Sequence, residues 1–259
     1  MCRLAAYIGP EIPLENIVTA PRHSLLSQSK DAYESKVSTN GDGFGIAWYG
    51  TQSEPGLYRD CLPAWSDENL ISLCRLVKSK LFIAHVRAST TGTTMRANCH
   101  PFVYQRWSFA HNGQIGGFQK MQRRLEQLLS DDLYQAKQGS TDSELLFLLL
   151  LQSGLSSSID VACGRVIGLL ERMRKEMSIS EPLRIALVIS NGKDLFGLRY
   201  ASDKFSPTLY RSKLLDNGGI SIASEPLDSV RDNWVLIMPS SIVEIGGDGM
   251  VQERRIILT

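Results

Sequence analysis

Residues 1–10 read "MCRLAAYIGP". Leu4, Ala5, Ala6, Tyr7 and Ile8 make an apolar run closed by Gly9-Pro10, the pattern of a buried strand that ends at a turn. Cys2 therefore lies at the free end of a core strand. A small residue at position two lets an aminopeptidase remove Met1. Cys2 would then carry a thiol and a free α-amine, a nucleophile and a weak base on one residue. The alternative is a chance cysteine at a frayed terminus.

Working outward from this strand, further strand-like runs are "FGIAWYG" (44–50), "LFIAHVRAS" (81–89), "WSFAHNG" (107–113), "LRIALVISN" (183–191), "LFGLRYAS" (195–202), "GISIAS" (219–224), "WVLIMP" (234–239), "SIVEIG" (241–246) and "VQERRIIL" (251–258). Helix-like runs are "DENLISLCRLVKS" (67–79), "FQKMQRRLEQLLS" (118–130), "TDSELLFLLLLQS" (141–153) and "SIDVACGRVIGLLERMRKEM" (158–177). The helices cluster between about residues 117 and 177. Strands joined by short turns, then helices, then strands again favour an α+β fold with helices covering antiparallel sheets. The run from Leu145 to Leu151 is too short for a membrane span, which needs roughly 18 residues, and reads as a helix buried on most of its faces. A single domain over residues 1–259 is expected; a boundary near residue 180 is allowed by length but marked by no linker.

Composition removes several function classes. The 28 basic and 27 acidic residues leave a net charge of +1, so nothing favours nucleic acid or an anionic membrane as partner. Pro10 and Pro13 interrupt any secretory signal. The five cysteines form no C-x-x-C pair, which disfavours a disulfide framework or a zinc site and suits reduced thiols in the cytoplasm. There is no phosphate-binding glycine loop of either common type; "GDGFGIAWYG" (41–50) reads as a glycine turn entering a strand. No metal or cofactor is expected.

Three further stretches can carry chemistry. In "AHVRASTTGTTMRANCHPF" (84–102), Arg87 ends a strand and precedes a hydroxyl-rich loop containing Thr90. A guanidinium fork and hydroxyls suit a carboxylate ligand, although a strand arginine also serves in plain ion pairs. His100 returns to the same region and reads either as a structural histidine or as part of the site. In "FAHNGQIGGF" (109–118), Asn112-Gly113 is a strong hairpin-turn signal. A tight turn there would also aim an amide and a Gly N–H at one point, as an oxyanion hole requires. In "GSTDSELLF" (139–147), Thr141 and Glu144 form a capping box, and Asp142 either complements the helix dipole or accepts a substrate ammonium. With Cys2, these features assemble the means to attack a side-chain amide of an amino acid.

In this order, "MCRLAAYIG", "GDGFGIAWY", "AHVRASTTG", "NCHPF", "FAHNGQI", "TDSELLF" and "ASEPL" (223–227) resemble the class II glutamine amidotransferases, which are N-terminal-nucleophile hydrolases. "NCHPF" and "ASEPL" resemble the stand-alone YafJ-like branch, related to amidotransferase-like enzymes of ergothioneine synthesis and glutathione breakdown. The resemblance implies an αββα sandwich of two antiparallel sheets between helical layers. It implies that Cys2 attacks the γ-carboxamide of glutamine while its α-amine shuttles the proton. Asn112 and Gly113 would hold the oxyanion, Arg87 with Thr90 the α-carboxylate, and Asp142 the α-ammonium, with His100 lining the site. Synthetase members carry a Trp after the arginine, where this chain has Ala88, and an acceptor domain for which 259 residues leave no room. Ammonia would thus pass to a synthase partner or to solvent, or the substrate would be another γ-glutamyl compound. A catalytically silent ligand-binding module is the reading from a different class.

Overall fold

The computed structural model describes residues 2–34, 39–88 and 94–259. In chain order the elements are β1 (Arg3–Pro13), α1 (Glu15–Val18), α2 (Leu25–Lys30), β2 (Phe44–Trp48), β3 (Gly56–Asp60), α3 (Glu68–Leu76), β4 (Lys78–Val86), β5 (Phe102–Tyr104), β6 (Trp107–Ile115), α4 (Phe118–Glu126), α5 (Asp131–Ala136), α6 (Asp142–Gln152), α7 (Ile159–Glu176), β7 (Leu183–Ser190), β8 (Leu195–Ala201), β9 (Tyr210–Ser212), β10 (Ile220–Ala223), β11 (Trp234–Leu236), β12 (Ser241–Ile245) and β13 (Val251–Arg255). One sheet has the order β11-β9-β10-β1-β4-β2-β3 and the other β13-β12-β8-β7-β6-β5, with antiparallel pairing among the described residues.

Side-chain alternation along each strand sorts the chain into layers. On β1, Leu4, Ala6 and Ile8 join a core with Ile83, Ala110, Ala186, Val188 and Val243, which fills the space between the two sheets. Ala5 and Tyr7 point the other way, into a second core shared with Ile17, Leu25 and Leu70 from α1, α2 and α3. On the far side, Phe109, Ile115, Ile185 and Leu187 pack against Leu146, Phe147, Val166 and Leu170 of α6 and α7. The architecture is the expected four-layer α+β sandwich. Tyr49 pins the sheets together: its hydroxyl donates to the Arg106 carbonyl at 2.8 Å and lies 2.9 Å from Ser108 Oγ.

The first strand differs from its local reading. The Gly9-Pro10 pair does not end the first strand. β1 runs on to Pro13 through a bulge between Ile8 and Ile12, because Gly9, at φ +156°, lets the backbone pass close to Gly219. The pairing of β6 with β7 carries the second sheet straight across residue 180. The helix around Leu145–Leu151 is buried on nearly every face, as its uniform apolarity implies. Among the described residues, no helix is long and apolar enough to cross a membrane.

Candidate active site

Cys2 immediately precedes β1, and the alternation that sends Leu4 between the sheets sends Cys2 to the same side. β4 runs beside β1, with Arg3 opposite Val86, so the thiol meets the chain leaving β4. The Ala88 N–H donates to Cys2 Sγ at 3.3 Å, and Sγ lies 3.5 Å from the Ala88 carbonyl oxygen. Burial pushes the thiol pKa up; the Ala88 amide and the Arg87 and Arg3 cations act against it. A thiol in this setting needs a base to become a nucleophile.

Asn112 and Gly113 stand on β6, opposite Ala186 and Ile185 of β7, and do not form a turn. The Asn-Gly pair therefore departs from its hairpin reading, and the reason is tertiary. Gly113 holds φ +144°, and a Cβ there would lie 2.8 Å from the Arg184 carbonyl carbon. Glycine is required for close strand packing rather than for chain reversal. Alternation splits the neighbours on β6: Ala110 faces the inter-sheet core with Asn112, while Phe109 and Ile115 face α6. Asn112 is 2% exposed, its Nδ2 donates to Ser224 Oγ at 2.5 Å, and its Oδ1 is buried without a close hydrogen bond.

Arg87 follows β4 directly and is 4% exposed. The glycine loop ahead of β2 clasps it: Arg87 N donates to the Gly43 carbonyl at 2.8 Å, Asp42 N to the Arg87 carbonyl at 3.0 Å, and Nη1 approaches the Asp42 carbonyl at 3.4 Å. Thr90 lies outside the described residues. His100 stacks on His85 of β4, ring centroids 4.2 Å apart, and packs edge-on against Phe102 at 4.6 Å. Burial pushes both imidazole pKa values down, that of His85 to about 3, so both rings are neutral. Arg87 lies near enough to both to push in the same direction, whereas the Asn112 amide beside His85 opposes it. His100 is thus grouped with Arg87 and His85.

Asp142 opens α6, which is held against β6 by the stacking of Phe147 on Phe109 at 5.1 Å. Its carboxylate accepts the Ile115 N–H at 2.9 Å and the Ser143 hydroxyl at 3.2 Å, and His111 Nδ1 lies 2.9 Å from that hydroxyl. Asp142 is thereby fixed at the end of β6, two residues beyond Gly113. Only half of the capping box forms. Thr141 Oγ1 accepts from Glu144 N at 3.1 Å, but the Glu144 carboxylate caps the Gln138 and Gly139 amides instead.

The site also contains residues that motif reading passed over. Ser224 Oγ accepts from both Leu4 N, at 3.0 Å, and Asn112 Nδ2. Glu225 points to the opposite side of the sheet, where it pairs with Arg3 at 2.6 Å and accepts the amides of Tyr33 and Glu34. Arg3 Nη1 donates to the Cys2 carbonyl at 3.0 Å, so this buried pair braces the Cys2 backbone. Ser224 and Glu225 lie in "ASEPL" and Arg3 in "MCRLAAYIG", stretches that carry the resemblance without a role for these residues. Among the described residues, no group of three or more His, Cys, Asp or Glu side chains is arranged to hold a metal ion.

Residues 16–213 match the family model for glutamine amidotransferases class-II. Probable glutamine amidotransferase DUG3 of Saccharomyces cerevisiae is 33% identical over 95% of this chain and 82% of its own length. The gamma-glutamyl-hercynylcysteine sulfoxide hydrolase of Mycolicibacterium smegmatis is 26% identical over 95% of this chain and 96% of its own. The structure of a glutamine aminotransferase class-II domain protein from Silicibacter pomeroyi, 34% identical, superposes with a TM-score of 0.77 over 98% of this chain and 99% of that one. The chain is an enzyme of the class II glutamine amidotransferase family.

Proposed function

We propose that the chain hydrolyses the γ-amide of glutamine, or of a γ-glutamyl compound, with Cys2 as an N-terminal nucleophile. The observation that carries this reading is the shared Ser224 hydroxyl. It accepts from Leu4, two residues past Cys2, and from Asn112 of the other sheet, and so holds an amide donor beside the start of the nucleophile strand. Removal of Met1 exposes the Cys2 α-amine, whose ordinary pKa of about 7.7–8.0 makes it a suitable partner for a thiol. The thiol proton passes to this amine as sulfur adds to the γ-carbonyl carbon. The oxyanion is held by Asn112 Nδ2 and Gly113 N–H. The C–N bond breaks, ammonia leaves with the proton returned by the ammonium, and a glutamyl thioester remains. Water, deprotonated by the same amine, adds to the thioester and frees glutamate and the thiol.

Arg87, with Thr90, takes the α-carboxylate and Asp142 the α-ammonium, while His100 backs Arg87 as a neutral ring. The whole of residues 1–259 acts as one stand-alone amidotransferase unit in the cytoplasm, with a small-molecule substrate and neither nucleic acid nor membrane as partner. Ammonia goes to a synthase partner or to solvent. The second reading, a γ-glutamyl hydrolase, is favoured by the likeness to the mycobacterial hydrolase along almost its whole length, and by Ala88 where the synthetases carry a bulky aromatic wall.

The test is a screen of Met1-free protein against L-glutamine, γ-glutamyl dipeptides and glutathione, reading free glutamate and ammonia. Glutamate release from at least one, abolished by Cys2→Ala, is expected. Glutamate with ammonia selects the glutaminase reading, and glutamate without it the hydrolase reading. Release from none would overturn both in favour of a silent binding module.

A further inference from the structure

The amide of Asn112 can face two ways. Its last torsion joins an sp³ to an sp² carbon, a broad and roughly two-fold well, so nothing in the side chain itself decides which end points where. The choice matters to the oxyanion. With Nδ2 forward a donor meets the developing charge; with Oδ1 forward a carbonyl dipole repels it. An amide that aims a donor at an oxyanion therefore needs a partner that holds its nitrogen in place.

Ser224 has the chemistry and the place to hold that nitrogen. It follows β10 and is fully buried. Its backbone N–H donates to the Leu4 carbonyl at 3.0 Å, and its carbonyl accepts the Thr208 hydroxyl at 2.9 Å, so the residue is fixed against β1. One lone pair of Oγ is taken by Leu4 N at 3.0 Å, a group that can only donate. The second takes one hydrogen of Asn112 Nδ2. The other end of the amide is not held in the same way: Oδ1 is buried without a close hydrogen bond, and the neutral His85 ring lies beside the amide. Ser224 is thus the polar contact that anchors Nδ2, and an amide nitrogen bound through one hydrogen still carries a second. The same hydroxyl binds the strand that bears Cys2 in one sheet and the strand that bears Asn112 in the other.

We propose that Ser224 is a positioning residue for the oxyanion site, anchoring the Asn112 amide nitrogen so that its second N–H meets the reacting carbonyl and setting its distance from the Cys2 strand. This rests on the oxyanion role assigned above to Asn112. Ser224 itself does not touch substrate; it acts through Asn112.

The test is a double-mutant cycle. Ser224→Ala and Ser224→Cys are made alone and combined with Asn112→Ala, and glutamate release from L-glutamine, or from the γ-glutamyl dipeptide turned over fastest, is followed across substrate concentrations with a thermal melt of each variant. A misaimed donor is expected to lower kcat on the order of 10- to 100-fold with KM within about twofold of the parent. In the Asn112→Ala background, Ser224→Ala is expected to lower kcat no further, because the group it aims is gone. Ser224→Cys keeps nearly the same volume with a weaker acceptor, and carries the same comparison if the alanine variant does not fold. A parental kcat in the Ser224 variants, a loss confined to KM, or a full multiplicative loss on top of Asn112→Ala would overturn the inference. Parental kcat in Asn112→Ala alone would instead sink the oxyanion reading beneath it.

Discussion

Replacing Asn112 by Ala separates what the side chain does for folding from what it does for catalysis, because the structure predicts opposite balances. For folding, the variant loses one hydrogen bond, Nδ2 to Ser224 Oγ, worth about 1 kcal/mol net. It also removes a buried carbonyl oxygen that lies beside the His85 ring without a close hydrogen bond and whose desolvation costs about 1–3 kcal/mol. The two nearly cancel, so Tm should move by only a few degrees, given about 2–4 °C per kcal/mol for a chain of this size. For catalysis nothing cancels. Charge on the γ-oxygen appears only in the transition state, and loss of one donor to it removes about 2.7–4 kcal/mol, a fall in kcat of roughly 100- to 1,000-fold. KM should stay near the parental value, since the ground-state carbonyl carries little of that charge. The assay is initial-rate glutamate release over a substrate range, with a thermal melt on the same sample. A kcat within tenfold of the parent, or a loss confined to KM, would refute the oxyanion role. A collapse in Tm would refute the energetic balance.

Arg87→Ala and Asp142→Ala should chiefly raise KM and leave kcat less affected, because the amino-acid end they are proposed to hold does not change charge during the reaction; loss of kcat at unchanged KM in steady-state kinetics would contradict this. A glutamine-analogue diazoketone should label Cys2 alone: Cys74, Cys99 and Cys163 are buried, and burial pushes the Cys74 and Cys99 thiols up to about 12 and about 11, so peptide mapping that found label there with Cys2 free would overturn the assignment. Acid should destabilise the fold partly through His85, which burial holds neutral down to about pH 3, whereas the unfolded chain protonates near 6.5. Its contribution is complete above pH 6.5 and is lost as pH falls toward 3, at about 1.4 kcal/mol per pH unit. Urea unfolding at pH 6.5, 5.5 and 4.5 should show a shallower slope for His85→Gln, and parallel slopes would contradict this.

The elements with strong periodicity were legible in the sequence. β1, β4, β6, β7, β8 and the helices α3, α4, α6 and α7 each carry enough alternating or helical apolar pattern to be seen alone. The elements it did not disclose are short: β3, β5 and β9 span 5, 3 and 3 residues, and α1, α2 and α5 span 4, 6 and 6. Pieces of this length form because the sandwich supplies their neighbours, not because their own residues specify them. The departure at Asn112-Gly113 has the same origin. Turn propensity is a statement about an isolated tetrapeptide, and pairing along the whole of β6 with β7 overrides it. Motif resemblance supplied Cys2, Arg87, Asn112, Gly113 and Asp142, whose chemistry is carried by residue type. It did not supply the roles of Ser224, Glu225 and Arg3. Those depend on contacts such as Ser224 to Asn112, which are 112 residues apart in the chain and in different sheets.

The central claim is that the α-amine of Cys2 is the base for its own thiol. Among the histidines near the site, burial lowers the pKa values of His85, His100 and His111, and no hydrogen bond joins any of them to Cys2 Sγ among the described residues. An additional residue ahead of Cys2 converts the amine to a non-basic amide. The decisive measurement pairs intact-mass analysis with glutamate release for Met1-retaining protein before and after aminopeptidase treatment. Both forms should melt alike, turnover should be absent while Met1 is attached, and it should rise in proportion to the fraction of Met1-free chain. Equal turnover per molecule in the two forms would contradict the terminal amine as base.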